Sequence, residues 1–216
     1  MVRMLSKPKL KSSEVEVQFP TLLMTRKYQE VDALNAALGE LVTKLEKEAK
    51  NVADETTNIG GFHSDSKLMN RSEPEILMLR EMIGVAVKEY IDRYFKDNCA
   101  EPPKDLKIRM WGWGINMREG DGNSQHVHPD AKISGVYYPV IPSGQLGGSK
   151  AKPGGAIMFS DPRPRAHMNP VQNQITEIVV PPEPGMMILF PSYYEHAVIP
   201  FRGPGVRTCI AFNAHF

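Results

Sequence analysis

Three histidines of this sequence are spaced in a way that could hold one metal ion. His126 and His128 are two residues apart, and alternate side chains of a β-strand point to the same face. His196 lies far downstream, at the start of another strand-like segment, and could close a three-sided site. Imidazole nitrogens bind zinc, copper, iron and nickel. The spacing therefore predicts a metal site, for which the carboxylate of Asp130 is an alternative ligand.

Arg207 is the next residue whose surroundings indicate a ligand. It follows His196 by 11 residues within an apolar run, VRTCIAF, so we expect its side chain to be at least partly buried. A buried arginine is rare unless it is paired. Its partner would be either an acidic residue from elsewhere in the fold or the carboxylate of a bound molecule, which a guanidinium can bind through two hydrogen bonds. The hydroxyl of Tyr138 could hold the same carboxylate, or could bond the backbone as a core tyrosine does.

The two halves of the chain predict different secondary structure. The first hundred residues contain few helix breakers, whereas 15 of the 18 prolines follow residue 100. Apolar residues at helical spacing predict one helix from residue 28 to about 49. The run Ser-Glu-Pro-Glu predicts a second helix, from an N-cap at Ser72 to about residue 98. Short β-rich runs separated by glycine and proline then predict an all-β sandwich or barrel.

The predicted strands are the elements that must position the histidines and Arg207. We expect them at 14–19, 106–117, 132–140, 156–159, 175–180, 186–190, 196–200 and 206–213. Residues 121–124 are expected to be flexible, and GGFHSDS to be a surface loop rather than a substrate lid. We therefore predict one domain over 1–216. Its core is a double-stranded β-helix, or jelly roll, over 105–216, which two α-helices within 1–100 support on one face.

Composition excludes several classes of protein. The 26 basic and 25 acidic residues give a net charge of +1, which argues against a nucleic-acid polymer as partner. The basic N-terminal residues are followed by no apolar segment typical of a secretion signal, and no run is long enough to span a membrane. Only two cysteines occur, and Cys209 is expected to be a small core residue. We therefore expect a cytoplasmic protein without a disulfide framework.

Several segments of the second half resemble a known enzyme family. They are HVHPDAKISGVYYP, GGAIMFSDPR, GMMILFPSYYEH and VRTCIAFN. Together they resemble the 2-oxoglutarate/iron(II)-dependent dioxygenases of the prolyl-hydroxylase-like branch. The resemblance is strongest to a group of small oxygenases with the pattern H-x-H-P, S-G-V-Y-Y, F-P-S and H. It extends weakly upstream through GGFHSDSK and WGWGIN, so it covers most of the chain.

The resemblance implies roles for individual residues. His126 would be the first metal ligand and His196 the distal one. Arg207 would pair with the far carboxylate of 2-oxoglutarate, and Tyr138 would donate a hydrogen bond to it. The implied cofactors are therefore Fe(II) and 2-oxoglutarate as cosubstrate.

One ligand position departs from the wider superfamily, which has an aspartate where this chain has His128. The usual set of two histidines and one carboxylate could be restored as His128, Asp130 and His196. We favour His126, His128 and His196, because the spacing from residue 128 to Tyr138 is closer to the superfamily pattern. Asp130 could then accept a hydrogen bond from an imidazole N–H.

The function implied by the resemblance is hydroxylation of an unidentified substrate, a small molecule or a peptide, with release of succinate and carbon dioxide. The alternative is a jelly-roll metal protein that uses zinc, or a three-histidine iron site without 2-oxoglutarate. Arg207 argues against zinc, because a water-activating zinc site needs no carboxylate clamp. Exposed edge strands of a jelly roll are compatible with a homodimer.

Overall fold

Two α-helices precede an antiparallel β-structure in the computed structural model of the chain. The structure describes residues 15, 17, 19–49, 57–98, 100–142, 149–168 and 170–216. The strands are β1 (Met24–Lys27), β2 (Asn58–Ile59), β3 (Phe62–His63), β4 (Arg109–Met117), β5 (Gly122–His126), β6 (Ile133–Val140), β7 (Ile157–Ser160), β8 (Glu177–Val180), β9 (Met186–Pro191), β10 (His196–Val198) and β11 (Arg207–His215). The helices are α1 (Asp32–Glu48) and α2 (Pro74–Asp97). In this described part of the chain, neither helix has the length and apolarity needed to cross a membrane.

Both helices form where their apolar periodicity predicted them. The helix α2 starts one residue later than expected, with Pro74 in its first turn, where a missing N–H costs nothing. The N-cap is therefore Glu73, which makes no side-chain capping bond, and the prediction of Ser72 as N-cap was wrong. Ile76, Leu79 and Ile83 are fully buried on the face that α2 turns to the sheet.

The strands form two sheets that face each other as a jelly roll. The six-stranded sheet has the order β1-β9-β6-β11-β4-β3, and the five-stranded sheet has the order β2-β5-β10-β7-β8. All named strand pairs are antiparallel, and β11 pairs with β4 over nine residues. One apolar core lies between the helices and the six-stranded sheet. A second core joins the inner faces of the two sheets. The predicted fold class is thus confirmed.

Two predicted segments at the edges of the fold differ from what the sequence indicated. Glu14, Glu16 and Gln18, in the predicted strand 14–19, lie outside the described residues, and Val15 and Val17 are exposed and belong to no strand. The first strand is β1, which pairs with β9. Residues 121–124, expected to be flexible, mostly belong to β5, which pairs with β2 and β10. The strand β5 was missed because GNSQH has no apolar alternation.

Candidate metal centre

The strand pair β5–β10 brings the first and last of the three histidines together. His126 is the final residue of β5, His196 is the first residue of β10, and the two are register partners. Their ring centroids are 4.3 Å apart. This pairing explains how residues so distant in sequence come to share one site.

His128 approaches the same point from just beyond the end of β5. It does not lie on the strand, as the simple alternation argument assumed, but in the extended segment before the turn at Pro129. Its backbone N–H donates to the carbonyl of Ser192, 2.9 Å away. The Nε2 atoms of His128 and His196 are 3.4 Å apart. One ligand atom from each of the three imidazoles lies within 4.8 Å of the others, which is the spacing of a metal-binding set.

Backbone carbonyls orient two of the three rings. Nδ1 of His126 lies 2.7 Å from the carbonyl oxygen of Ser124, and Nδ1 of His196 lies 2.8 Å from that of Tyr194. A carbonyl oxygen can only accept, so each Nδ1 carries the proton and donates it. The Nε2 atom of each ring is thereby left unprotonated and available to a metal.

Burial keeps the three imidazoles neutral. It lowers the pKa of His126, and it lowers the pKa of His128 to about 4 with a contribution from the nearby His126. Burial and the charge of His126 lower the pKa of His196 to about 3. Metal ligation requires neutral imidazole. The lowered pKa values therefore favour the neutral form of these imidazoles, which is the form that binds a metal.

The alternative ligand Asp130 occupies a different environment. It lies in the turn after Pro129 and is exposed to solvent, at the rim of the cavity that the histidines line. Among the described residues, the potential metal-binding group comprises the three histidines without Asp130. The position of Asp130 is thus suited to contact with a molecule that enters the cavity.

The histidines open onto a cavity of about 360 Å³ between the two sheets. Trp111 and Trp113 of β4 form part of its wall, and Arg207 and Tyr138 line it as well. The cavity is therefore lined by all the residues that the sequence singled out, three histidines that could hold a metal ion together with Arg207 and Tyr138.

Arg207 is 1% exposed and has no acidic partner among the described residues. Its Nε donates to the carbonyl of Gly155 at 3.1 Å. Its Nη1 faces two sulfur atoms, those of Met117 at 3.4 Å and Cys209 at 3.3 Å, which are weak acceptors. The guanidinium carbon lies 5.1 Å from the ring centre of Tyr138. A buried positive charge with such weak partners favours an anionic ligand in the cavity.

Tyr138 is buried in the same wall, at 1% exposure. Burial raises the pKa of its hydroxyl well above the usual range, so the group stays protonated and can donate a hydrogen bond. Its strand neighbour Tyr137 points to the opposite face of β6, where its hydroxyl donates to Asn35 Oδ1 at 2.7 Å. The two tyrosines thus belong to different cores.

The GGFHSDS segment is part of the cavity wall, so the expectation of a surface loop was wrong. His63 and Ser64 are both 8% exposed. The ring of His63 stacks on Trp113 with centroids 5.2 Å apart, and Trp113 lies 5.9 Å from His128. Gly60 and Gly61 have φ of +69° and +75°, a conformation that turns the chain inward. In the sequence, the glycine pair directly before Phe62 and His63 was the feature that could have indicated this inward turn.

Comparison of the sequence with protein families gives one match. Residues 111–213 match the family described as "Putative 2OG-Fe(II) oxygenase". Comparison with curated proteins gave no match.

Solved structures with the same fold include three enzymes of different organisms. A prolyl-4-hydroxylase from Pseudomonas putida has a TM-score of 0.59 at 16% identity, covering 89% of this chain and 91% of its own. A Trichoplax adhaerens prolyl hydroxylase in complex with a hypoxia inducible factor peptide fragment has a TM-score of 0.56 at 13% identity. This likeness covers 89% of this chain and 83% of that enzyme. HygX from Streptomyces hygroscopicus, with nickel, 2-oxoglutarate and hygromycin B bound, has a TM-score of 0.56 at 11% identity, covering 90% and 83%.

The comparisons agree with the geometry of the cavity. At such low identities the structural likeness establishes the fold, which is that of the prolyl-hydroxylase-like branch. The family match contributes the activity, and it spans the segment from β4 to β11 that contains the histidines, Tyr138 and Arg207. Residues 111–213, just under half of the chain, are similar to this family, and the protein is accordingly an oxidoreductase with Fe(II) and 2-oxoglutarate as its cofactors.

Proposed function

We propose that this enzyme hydroxylates a small molecule or a peptide, with Fe(II) held by His126, His128 and His196. Arg207 and Tyr138 would anchor the far carboxylate of 2-oxoglutarate in the same cavity. The observation that carries the proposal is the buried Arg207, which has no acidic partner among the described residues and lines the cavity that the histidines line. A cation in that position is complementary to a dicarboxylate whose other end chelates a metal.

The residues of the site fit the cofactors chemically. Three neutral nitrogen donors suit iron(II) and leave open positions on the metal. When bound, iron and 2-oxoglutarate would supply the oxidising chemistry with dioxygen as the oxidant, one oxygen atom of which ends in succinate, formed with loss of carbon dioxide, and the other in the hydroxyl group of the substrate. The protein contributes orientation and exclusion of water. The backbone carbonyls of Ser124 and Tyr194 orient two imidazoles. The hydroxyl of the buried Tyr138, which stays protonated, would donate a hydrogen bond to the carboxylate.

The charge of the site differs from that of a site with a carboxylate ligand. Three imidazoles contribute no negative charge, so bound iron(II) keeps a full double positive charge. The 1-carboxylate of 2-oxoglutarate would neutralise one of these charges on binding. We therefore expect metal binding to be weaker in the absence of the cosubstrate than in its presence.

The substrate would enter along the side of the cavity near Asp130. Trp111, Pro129 and Asp130 line both the cavity and a second depression beside it, which also contains Arg109 and Lys132. A site continuous with a neighbouring surface depression can accept a substrate larger than the cavity itself. Both a peptide and a small molecule are compatible with this shape. The similar folds bind one of each, a peptide fragment and hygromycin B.

The second candidate function is a zinc enzyme or a three-histidine iron oxygenase that acts without a 2-oxo acid. It is favoured by one specific observation, the three imidazoles with no carboxylate in the metal-binding group. Three histidines also form the ligand set of catalytic zinc. Neither version uses the buried Arg207.

Anaerobic titration distinguishes these functions. Purified apo-protein is titrated with Fe(II) and then with 2-oxoglutarate, and the weak visible metal-to-ligand charge-transfer band is recorded. We expect the band in the wild type and in Arg93→Ala, a control on the exposed face of α2, and its loss in Arg207→Ala. Iron binding without the band in the wild type would support the second candidate and overturn the first.

We also propose that the protein is cytoplasmic and forms a homodimer. The low cysteine count supports a reducing compartment, and the edge strands β1 and β8 of the two sheets support pairing between copies. Cell fractionation tests the location. Light scattering coupled to size-exclusion chromatography tests the dimer, which a mass near the 24.2 kDa of one chain would exclude.

A further inference from the structure

The third imidazole of the metal-binding group is oriented differently from the other two. His126 and His196 each donate Nδ1–H to a backbone carbonyl two residues earlier. Nδ1 of His128 lies instead 3.5 Å from a side-chain atom, the amide nitrogen Nδ2 of Asn213. The orientation of this one ring therefore depends on a side-chain contact.

Asn213 is held firmly enough to serve that purpose. It lies on β11, is 5% exposed and is the register partner of Ser134 on β6. The hydroxyl of Ser134, itself 1% exposed, lies 2.8 Å from Oδ1 of Asn213. Both strands belong to the interior of the six-stranded sheet. The amide plane is thus fixed at both ends, by Ser134 and by His128.

When a metal is bound, the protonation of the His128 imidazole determines whether the oxygen or the nitrogen of the Asn213 amide must face it. A neutral imidazole that binds a metal through Nε2 carries its proton on Nδ1, and this N–H needs an acceptor. The amide nitrogen cannot accept, whereas the amide oxygen can. The oxygen and nitrogen of an asparagine side chain are assigned from their hydrogen-bond partners. A serine hydroxyl can accept as well as donate, so Ser134 is compatible with either face of the Asn213 amide.

We propose that Asn213, held by Ser134, is a positioning residue for His128, whose Nδ1–H it accepts through its side-chain oxygen when a metal is bound. The amide nitrogen then donates to Ser134 Oγ. This inference rests on the proposed ligand set of His126, His128 and His196. It assigns to Asn213 the role that backbone carbonyls play for the other two rings.

The role of Asn213 follows from the position of His128 outside β5. Beyond the strand end, the backbone N–H of His128 donates to the carbonyl of Ser192, and the Nδ1 atom of its ring faces Asn213. The sheet that faces β5 supplies the missing acceptor through Asn213. A partner that orients a metal-bound histidine changes metal affinity by about 10–100-fold when it is removed.

Two substitutions of Asn213 by residues of similar volume distinguish the effect of the hydrogen-bond acceptor from the effect of side-chain packing. Asn213→Asp keeps an acceptor beside Nδ1, whereas Asn213→Leu removes it. Cobalt(II) alone is titrated into each apo-protein, and the dissociation constant and visible absorption of the complex are measured. We expect Asn213→Leu to weaken cobalt binding by about 10–100-fold and Asn213→Asp to bind at least as tightly as the wild type. Ser134→Ala, which only releases the amide, should give a smaller loss.

The matched control is Asn116→Leu, another buried asparagine of the same sheet, whose amide bonds Glu46 and Thr208 away from the cavity. It should bind cobalt as the wild type does. Nitrogen-15 NMR of the zinc-loaded wild type should in addition find the proton of His128 on Nδ1. Wild-type cobalt affinity in Asn213→Leu, or equal losses in the aspartate and leucine variants, would overturn the inference.

Failure of the inference is distinguishable from failure of the proposed ligand set. If His128→Ala abolishes cobalt binding while Asn213→Leu has no effect, the ligand set stands and the role of Asn213 is refuted. If His128→Ala binds cobalt like the wild type, the ligand set is wrong and the inference is refuted with it.

Discussion

At the scale of single residues, the site combines two groups that are costly to bury. His196 is buried and His126 and His128 are partly buried, with lowered imidazole pKa values, and the guanidinium of Arg207 is buried beside two sulfur atoms. A bound metal cation would offset the cost of burying the imidazole nitrogens, because it occupies their lone pairs. A bound dicarboxylate would offset the cost of burying Arg207, because it supplies a negative charge. We therefore expect the proposed metal and cosubstrate to stabilise the folded protein when they bind.

The first prediction concerns the choice of metal ligands. His196→Ala should abolish stoichiometric iron(II) binding, because it removes one of three donors that converge within 4.8 Å. Asp130→Ala should leave iron binding largely intact, because this carboxylate is exposed at the rim. Anaerobic calorimetric titration with Fe(II) measures both. Loss of iron in Asp130→Ala with retention in His126→Ala would instead identify His128, Asp130 and His196 as the ligands.

The second prediction separates the hydroxyl of Tyr138 from its ring. Tyr138→Phe keeps the aromatic ring, whose centre lies 5.1 Å from the guanidinium carbon of Arg207. It removes the hydroxyl group that we propose as a hydrogen-bond donor to the carboxylate of 2-oxoglutarate. We expect the dissociation constant of 2-oxoglutarate to rise about 10- to 150-fold, which corresponds to about 1.5–3 kcal/mol for one hydrogen bond to a charged group. Tyr137→Phe is the matched control, since it loses a buried hydroxyl bonded to Asn35 on the other face of β6.

The control variant should lose stability and keep its affinity for 2-oxoglutarate, as measured by the charge-transfer band. If Tyr138→Phe behaves in the same way as Tyr137→Phe, Tyr138 is a core residue and does not contact the cosubstrate.

At the scale of elements, sequence patterns predicted the buried strands and failed at the polar ones. The strands β6, β9 and β11 are buried along almost their whole length and rich in apolar residues, and their positions were predicted to within two residues. The strand β5 has the polar sequence GNSQH and becomes a strand only because β2 and β10 pair with it. Such pairing is a tertiary effect that local propensity does not contain.

The same distinction applies to the site. His126, His196 and Arg207 could be selected from the sequence because their residue types are rare in apolar or strand-end contexts. The inward path of His63 was indicated only by the glycine pair before it, because this path depends on the positive φ of two glycines that lie against Asp121. The link between Asn213 and Ser134 likewise depends on the register of β11 and β6, which only the folded sheet defines.

The third prediction tests how closely α1 packs on the sheet. A Cβ atom at Gly39 in α1 would lie 2.7 Å from Cγ2 of Val140, whereas one at Gly84 in α2 would meet nothing within 4 Å. Alanine is favoured over glycine inside a helix by about 1 kcal/mol. Gly84→Ala should therefore raise the free energy of unfolding by up to that amount. Gly39→Ala should lower it by about 1–3 kcal/mol, because overpacking outweighs the helical gain.

Urea unfolding of the two alanine variants and the wild type measures this difference. An increase of stability in Gly39→Ala equal to that in Gly84→Ala would mean that the helix α1 can move away from β6 at little cost.

At the scale of the whole molecule, each of the two sheets carries part of the proposed site. The five-stranded sheet carries His126 and His196, and the six-stranded sheet carries Tyr138 and Arg207. 2-Oxoglutarate chelated to the metal at one end and bound by Arg207 at the other would connect the sheets across the cavity. Metal and cosubstrate are therefore expected to bind cooperatively, each raising the affinity of the other by the same factor.

The last prediction is a pH dependence of the stability of the metal-free protein. Burial lowers the pKa of His128 to about 4 and of His196 to about 3 from the ordinary value of 6.5, which the unfolded chain retains. Below pH 6.5 the unfolded state therefore binds more protons than the folded state. These groups leave stability unchanged above that pH, and they lower the free energy of unfolding progressively as the pH falls from 6.5 towards 4.

Thermal unfolding with a chelator present, recorded from pH 8 down to about 4.5, tests the sign of this effect. Carboxylates with lowered pKa values, such as Glu46, also destabilise the protein in acid, so the informative quantity is a difference between variants. His128→Gln removes one buried imidazole and keeps a polar side chain. Its unfolding temperature should fall less steeply below pH 6.5 than that of the wild type. Equal slopes would mean that His128 becomes protonated in the folded protein without cost, and that its ring is more accessible to water than its burial implies.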